Sequence, residues 1–588
     1  MRIHPITNNE FGHLLRNCTP PGGWPKVIGV ANSGGPDSTC LLFLIHRYLS
    51  DDVQIRQENL FPRRVVSFTV DHDLQPSSAA MANDCARSVR SLCGVEHKTV
   101  KIPWSTPPFP ERPIPGKDAF ENIARLARYQ MLLRCMRSIP SEDGGPVDVI
   151  AFGHHADDQV ETALMRLSRG TSELGASGMK PCRRWGMGIM NQTDGVNSLG
   201  WTGYEGMNKW IIRPLLEVSK DRILATCHAN GLKYATDTSN FQPHITIRNA
   251  IRALLRSEDG TLKEPLSLNI QEQLSTINKA ISSFKSISVD LSSGAEQLQG
   301  AIKVLTSRLG DVDGEVDSII KRYRISSPTG TFLISSRGLS PVQRNLVRKS
   351  LVLRIMRYVS FHPWGSLRAD GQRRKASLDQ IIGKLWTPNP FTSGIRMFVA
   401  GGGVLWMPVL IKGNQIRTPD RLPNPLPAEE NIGWLASRQP PLHKDKMKAL
   451  NMVNPLRLDV TDLLRTRIHA ITTSSASSVE SVLYDCRFLV HFDISRIPQR
   501  IVEQINESDM SYKIMLIPNT RWYWPQIVEE NGNNGTVLHS EVQGNREILS
   551  FLKAPDAQID YTSYWKRREV PVVADWIKIE WIRPLTAL

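Results

Sequence analysis

No Cys-x-x-Cys pair occurs in this chain, and its eight cysteines (Cys18, Cys40, Cys85, Cys93, Cys135, Cys182, Cys227 and Cys486) are scattered. That spacing argues against a zinc ribbon, a cysteine-held iron–sulfur cluster and a disulfide scaffold, so reduced thiols inside a cell or organelle are expected. No run of about 18 apolar residues is present, and no transmembrane span is expected. Residues 1–17 carry Arg2, Arg16 and Glu10 without the apolar core of a secretory signal, and they are short and arginine-poor for a mitochondrial presequence. There is no internal repeat, and no Gly-Lys-Ser or Gly-Lys-Thr follows a glycine-rich turn in the Walker manner. Acid is scarce: 57 Asp and Glu stand against 72 Lys and Arg, a net charge of +15. Such a surplus favours polyanionic partners, nucleic acid first, although basic chains without that contact are also common.

What is present suits a globular chain. Hydrophobic residues make up 40% and charged residues 22%, a balance that does not suggest disorder. A length of 588 residues calls for several domains. Strand-like runs at 27–31, 65–70, 98–102 and 147–152 alternate with helical stretches at 38–48, 77–93, 120–137 and 157–167. This pattern predicts an α/β fold with a doubly wound, mostly parallel sheet, whose ligands bind at the carboxyl ends of the strands. Three segments are expected: a catalytic domain over 1–255, a mainly helical basic domain over 256–390, and a divergent α+β region over 391–588. Residues 103–117 and 181–209 read as surface loops. A hairpin turning on Gly401, Gly402 and Gly403 is expected over 396–410, and 419–441 reads as a linker.

The strongest chemical signal is Ser33-Gly34-Gly35-Pro36-Asp37-Ser38, between an apolar strand and a helix. Glycines allow close backbone approach to a ligand, and a helix N-terminus offers unpaired N–H groups to an anion. Ser33 and Ser38 add hydroxyls. Asp37 repels phosphate, so its expected use is to hold Mg2+ that bridges phosphates. The plainer alternative is a Gly-Pro turn capped by Asp and Ser.

Ser-Gly-Gly-x-Asp-Ser resembles the signature of the PP-loop (N-type) ATP pyrophosphatases. Further segments resemble one branch, the tRNA(Ile)-lysidine synthetases: Val70-Asp71-His72-Asp73-Leu74-Gln75-Pro76, with Asp73 where that family usually has Gly; Glu121 to Tyr129, of the form E-x-x-A-R-x-x-R-Y; Gly153-His154-His155-Ala156-Asp157-Asp158-Gln159-Val160-Glu161-Thr162; Arg169-Gly170, then Gly175 to Met179, with Ala176 for the usual Leu; Arg213-Pro214-Leu215-Leu216; and Asp237-Thr238-Ser239-Asn240 with Arg248, Asn249 and Arg252. The resemblance covers 27–252 and fades after about 256. It implies a ligase that uses ATP and Mg2+ to adenylate the wobble cytidine of a CAU-anticodon tRNA(Ile) and then joins L-lysine to C2. It implies ATP contacts from Ser33, Gly34, Gly35, Pro36, Asp37, Ser38, Asp71 and His72. Catalytic work would fall to Asp37, His155, Asp158 and Glu161, and substrate or tRNA contacts to Arg125, Arg128, Arg213, Arg248 and Arg252.

The residues also admit other readings. Asp158 and Glu161 share a helix face and can bind an ammonium group or accept its proton. Asp157 and Glu161 can instead cap the helix, and His154, His155 and Asp158 can hold a metal. Arg125 and Arg128 can neutralise phosphates or form a solvated face. The basic run over 341–376, including Arg344, Arg348, Lys349, Arg354 and Arg357, offers a stripe for tRNA phosphates or a solvated charged helix. Tyr564-Trp565-Lys566-Arg567-Arg568 can stack on RNA or simply surround a buried Trp. Alternative functions are a thiolase-like PP-loop tRNA enzyme, which the missing Cys-x-x-Cys disfavours, and a catalytically silent RNA-binding protein. The resemblance and the divergent second half suggest an organelle-type member, with mitochondria the expected compartment.

Overall fold

The computed structural model describes residues 3–51, 61–92, 94–107, 109–114, 120–139, 147–169, 173–187, 204–235, 247–256, 266–284, 289, 291–365, 375–413, 415–417, 430–473, 478–507, 511–519, 522–532, 534–540 and 572–587. The chain divides into two compact units, Met1–Asp311 and Val312–Ala587. This differs from the three segments expected from sequence.

The first unit contains α1 (Asn8–Arg16), β1 (Val27–Ala31), α2 (Pro36–Asp51), β2 (Arg64–Asp71), α3 (Ser78–Arg90), β3 (Glu96–Lys101), α4 (Phe120–Arg137), β4 (Val149–Ala151), α5 (Ala156–Leu167), β5 (Cys182–Arg184), β6 (Trp210–Ile212), α6 (Lys220–Ala229), α7 (Ile247–Arg256), α8 (Leu268–Ser282) and the start of α9 (Ala295–Tyr323). The sheet order is β3-β2-β1-β4-β6-β5. All neighbours are parallel except β5 and β6, as the strand–helix alternation predicts. β1 is buried from Val27 to Val30 and β4 throughout, which explains their uninterrupted apolar runs. The strand order reverses between them, so the ligand-binding crevice is expected at their carboxyl ends.

The unit extends past 255 because of side-chain packing. Ile277 and Ile281 of α8, with Leu298, Ile302 and Leu305 of α9, share one core with Val160 and Leu164 of α5 and Ile251 of α7. Burying that apolar stripe ties 266–311 to the catalytic sheet.

The second unit holds the rest of α9, β7 (Arg324–Ile325), β8 (Phe332–Ser335), α10 (Asn345–Val359), α11 (Lys375–Leu385), β9 (Phe398–Val399), β10 (Val404–Lys412), β11 (Gln415–Arg417), β12 (Glu430–Arg438) and seven further short strands. Its largest sheet runs β11-β10-β12-β8-β7, with β9 on β10. Leu351 and Ile355 of α10 and Ile381 of α11 pack on Trp406 and Trp434 of that sheet. The core therefore crosses the boundary expected near 390. The expected hairpin is present: β9 pairs antiparallel with β10, and Gly401, Gly402 and Gly403 take φ of 73°, 75° and 74°, values that favour glycine.

The basic run on α10 is matched to acids within this unit. Arg344 meets Glu315 at 2.8 Å, Arg354 meets Asp313 at 2.9 Å and also Asp317, and Lys349 meets Asp379 at 3.8 Å. Arg348 donates to the Val342 carbonyl and lies over the Trp386 ring. These groups brace helices rather than form a bare stripe. Elsewhere, Asp485 receives both Arg438 (2.8 Å) and Arg487 (2.7 Å), all three side chains at most 3% exposed. Arg583 donates to the carbonyls of Cys486, Arg357 and His362. The 564–568 cluster, 237–240 and Gly170 lie outside the described residues.

Candidate active site

The loop after β1 is held by Asn32, a residue the motif reading passed over. Asn32 is buried, and its Oδ1 accepts from the Gly34 amide and from Ser38 Oγ, both at 3.0 Å. Ser38 Oγ in turn accepts from the Ser33 amide at 3.1 Å. Thr69 on β2 donates to the Asn32 carbonyl at 2.8 Å. Gly34 has φ +78°, a left-handed turn at which a side chain would also be 3.3 Å from Cys85 Cβ. The result is a tight cup opening α2 at the end of β1, where a helix N-terminus and nearby amides suit an anion.

The second wall comes from the segment after β4. Gly153 lies against the first turn of α2: a Cβ there would be 2.8–2.9 Å from the Asp37 carbonyl group and the Ser38 amide. His155 Nε2 is 3.7 Å from Asp37 Oδ1 and 3.5 Å from Asp158 Oδ2, so the structure brings Asp37, His155 and Asp158 together. Asp158 Oδ2 also accepts from the His155 amide at 3.0 Å. The capping role thus falls to Asp158, not to Asp157 or Glu161. Asp157 instead accepts from Gln299 at 2.6 Å. Gln159 grips the Met179 backbone through both amide atoms, at 2.9 and 2.5 Å, which joins the 153–162 and 175–179 motifs.

Glu161 is 5% exposed. Arg252 Nε donates to it at 2.6 Å, and Arg248 Nε is 3.8 Å away; Arg252 is also 3.9 Å from Asp158. Both arginines are thereby turned towards the acidic pair. Burial raises the Glu161 carboxyl above the ordinary glutamate range, and Arg252 pulls it back only in part. For Asp158, burial is outweighed by His155, His154 and the amide bond, and its pKa is lowered.

A cationic wall lies on α4 and just past β6. Arg125 sits 5.5 Å over the Tyr129 ring. Arg128 and the buried Arg213 each have an Nε with no hydrogen-bond partner. Among the described residues, no carboxylate lies within ion-pair distance of Arg125, Arg128 or Arg213. Burial, then Arg183, lowers Arg213 to about 9, so it stays charged at neutral pH. Burial alone would raise the Tyr129 phenol, yet Arg125, Arg183, Arg213 and Arg128 together bring it down to about 7. So many like charges without a counter-charge fit a polyanionic ligand.

His72 and His154 belong to this wall as neutral rings. Burial, then Arg128, pushes His72 down to about 4, and burial, then Arg213, pushes His154 to about 3. Each has an Nδ1 without a partner, and His154 stacks on Phe152. Asp71 serves its own turn, accepting from Ser78 Oγ and, at 2.9 Å, from the Asp73 amide. Asp73 takes φ 52°, the left-handed value glycine would supply, and Asp tolerates it better than most residues. No group of three or more His, Cys, Asp or Glu side chains able to hold a metal occurs among the described residues. The alternative set His154, His155 and Asp158 is therefore not assembled as a zinc site. Lys220, 2.5 Å from Asp37, had no sequence motif to mark it.

Residues 6–258 match the family model described as a PP-loop domain. The chain is 34% identical over 264 residues to a tRNA(Ile)-lysidine synthase of Bradyrhizobium sp., covering 45% of this chain and 60% of that one. It is 31% identical over 284 residues to a tRNA(Ile)-lysidine synthase of Bacillus subtilis, covering 45% and 50%. The matches therefore take in less than two thirds of either relative's length. A U34-tRNA thiolase, NcsA from Methanococcus maripaludis, superposes at a TM-score of 0.29 with 14% identity, covering 52% of this chain and 78% of that one, too loosely to bear on the chemistry.

Proposed function

We propose that the whole chain is an ATP-dependent, AMP-forming ligase of the tRNA(Ile)-lysidine synthase kind, joining L-lysine to C2 of the wobble cytidine in a CAU-anticodon tRNA(Ile), a reading supported by the PP-loop match over residues 6–258 and by the similarity to tRNA(Ile)-lysidine synthases. The observation that carries this reading is the meeting, at one sheet crevice, of the 33–38 cup with the half-buried Asp158 and the buried Glu161.

The chemistry follows in two steps. The cytidine C2 oxygen attacks the α-phosphorus; an O–P bond forms, the α–β bridge breaks, and pyrophosphate leaves. The lysine ε-amine then attacks C2; a C–N bond forms, the C–O bond to AMP breaks, and the amine gives up a proton. Adenylation makes a poor leaving oxygen into a good one.

The residues divide the work. The N-terminus of α2, with Ser33, faces the phosphates, while the Ser33 and Gly34 amides and Ser38 Oγ hold the loop in shape. Asp37 fits Mg2+ delivered with the nucleotide, since Mg2+ commonly takes one or two carboxylates and completes its shell with phosphates and water; bound there, it would offset phosphate charge. Asp158 and Glu161 receive the lysine ammonium, and Glu161, the carboxylate of raised pKa, is the stronger proton acceptor of the two. His155 stands between Asp37 and Asp158 and spaces the two carboxylates. Arg125, Arg128 and Arg213 neutralise phosphates of ATP or tRNA. Arg248 and Arg252 set the charge of the acidic pair.

The test is ATP–pyrophosphate exchange with a CAU-anticodon transcript, together with incorporation of labelled lysine, in wild type and Asp37→Ala. Wild type is expected to do both and the variant neither. Exchange without lysine incorporation would point to another PP-loop tRNA modification, and equal activity in Asp37→Ala would overturn the assignment. A mitochondrial location is proposed from the product alone, since lysidine belongs to bacterial-type translation. Fractionation of cells expressing the tagged chain tests it, and a purely cytosolic signal would refute it.

A further inference from the structure

We propose that Lys220 is a positioning residue for the triphosphate: its ammonium holds Asp37 in the nucleotide-free protein and passes to the β- and γ-phosphates when Mg2+ takes its place on the carboxylate. The inference rests on the ATP-dependent reading above. Lys220 opens α6, far from the 33–38 loop in sequence, yet its Nζ is 2.5 Å from Asp37 Oδ1. That is the same oxygen faced by His155 Nε2 at 3.7 Å.

The pair is movable above a fixed base. The Lys220 and Asp37 side chains are 28% and 29% exposed, so the contact lies at the rim of the crevice. The backbone beneath is tied down: the Ala156 amide donates to the Val218 carbonyl at 2.9 Å, and the Ala235 amide to the Gly34 carbonyl at 2.9 Å. Cys227 Sγ on α6 lies 3.6 Å from the Pro36 carbonyl. The ammonium can therefore swing while its helix stays in register with the loop.

One carboxylate oxygen cannot hold both cations. Mg2+ needs a ligand oxygen at about 2.0–2.1 Å, and an ammonium on the same oxygen would face a divalent ion at short range. The arriving triphosphate supplies the negative charge that takes up the displaced ammonium. A compact charge on a flexible stem suits that transfer better than a planar guanidinium.

A lysine that only staples α6 to α2 would behave differently, and two probes separate the cases. In Lys220→Ala, Mn2+ titrated without nucleotide and followed by electron paramagnetic resonance should bind more tightly, because the competing cation is gone. ATP in the presence of saturating Mg2+ should bind about tenfold to a hundredfold more weakly, the loss of one charge-assisted phosphate contact. Lys220→Arg should recover part of the ATP affinity, and the KM for MgATP should rise more than kcat falls. Lys220→Met, which keeps the apolar stem, repeats the measurement should the alanine variant fold poorly. ATP affinity equal to wild type, or a parallel weakening of Mn2+ and ATP, overturns the proposal. A wild-type protein that binds no ATP overturns the reading beneath it instead.

Discussion

Gly153 leaves no room for a side chain against Asp37: a Cβ would come within 2.8 Å of the Asp37 carbonyl carbon. The contact is backbone to backbone, so no rotamer change relieves it. Gly153→Ala must push β4 and the start of α2 apart, at about 1–3 kcal/mol for an overpacked site. A lower melting temperature is expected, together with at least a tenfold loss of pyrophosphate exchange, since misplacement of about 1 Å can cost a hundredfold. Full exchange in a folded Gly153→Ala protein would show that the loop tolerates the shift.

The Glu161–Arg252 pair gives a pH prediction. Burial holds Glu161 above the usual range and Arg252 opposes that. Capture of the lysine ammonium needs the ionised form, so kcat/KM for lysine should fall on acidification at a higher pH than an ordinary glutamate would give. Arg252→Met removes the opposing charge, and the acid limb should move to still higher pH. A limb unmoved in Arg252→Met, or moved to lower pH, would separate Glu161 from lysine capture.

Asp485 compensates two buried guanidiniums, Arg438 and Arg487. Asp485→Asn keeps the shape and suits the left-handed backbone (φ 52°), yet leaves both cations without a counter-charge. Breaking a buried pair in this way costs about 3–5 kcal/mol. The expectation is a lower denaturant midpoint for the Val312–Ala587 unit, read by the fluorescence of its tryptophans. Equal midpoints would mean that the charges are compensated elsewhere.

Asp73 gives a control on backbone conformation. Asp73→Gly should stay within about 1 kcal/mol of wild type, while Asp73→Val should destabilise by about 1–2 kcal/mol or more, because a β-branched residue resists positive φ. Thermal unfolding of both variants checks this, and equal destabilisation would place the cost in the lost contact with Lys101, 3.0 Å away.

The parts of the site legible in sequence are those that local pattern encodes. A buried strand, a Ser-Gly-Gly turn and a helix are contiguous, so the 33–38 cup and the order β1-α2-β2 could be read directly. Lys220 meets Asp37 only after the chain folds, and a single lysine at a helix start carries no signature. Strand β5, three residues long, is too short for periodicity to register, and lies inside the 181–209 stretch that reads as a loop. The extent of the first unit was hidden for a related reason. The apolar stripes of α8 and α9 are visible, but nothing in them says that their partner is α5 rather than the sheet of the second unit.

Arg344, just before α10, and Arg354 of α10 each face acids on α9. A cation already paired with a carboxylate neutralises no RNA phosphate, and so releases none of the counter-ions condensed on an incoming RNA. Ionic strength should therefore act on tRNA affinity through fewer cations than the 72 Lys and Arg suggest, and salt should weaken the packing of these helices alongside any effect on binding.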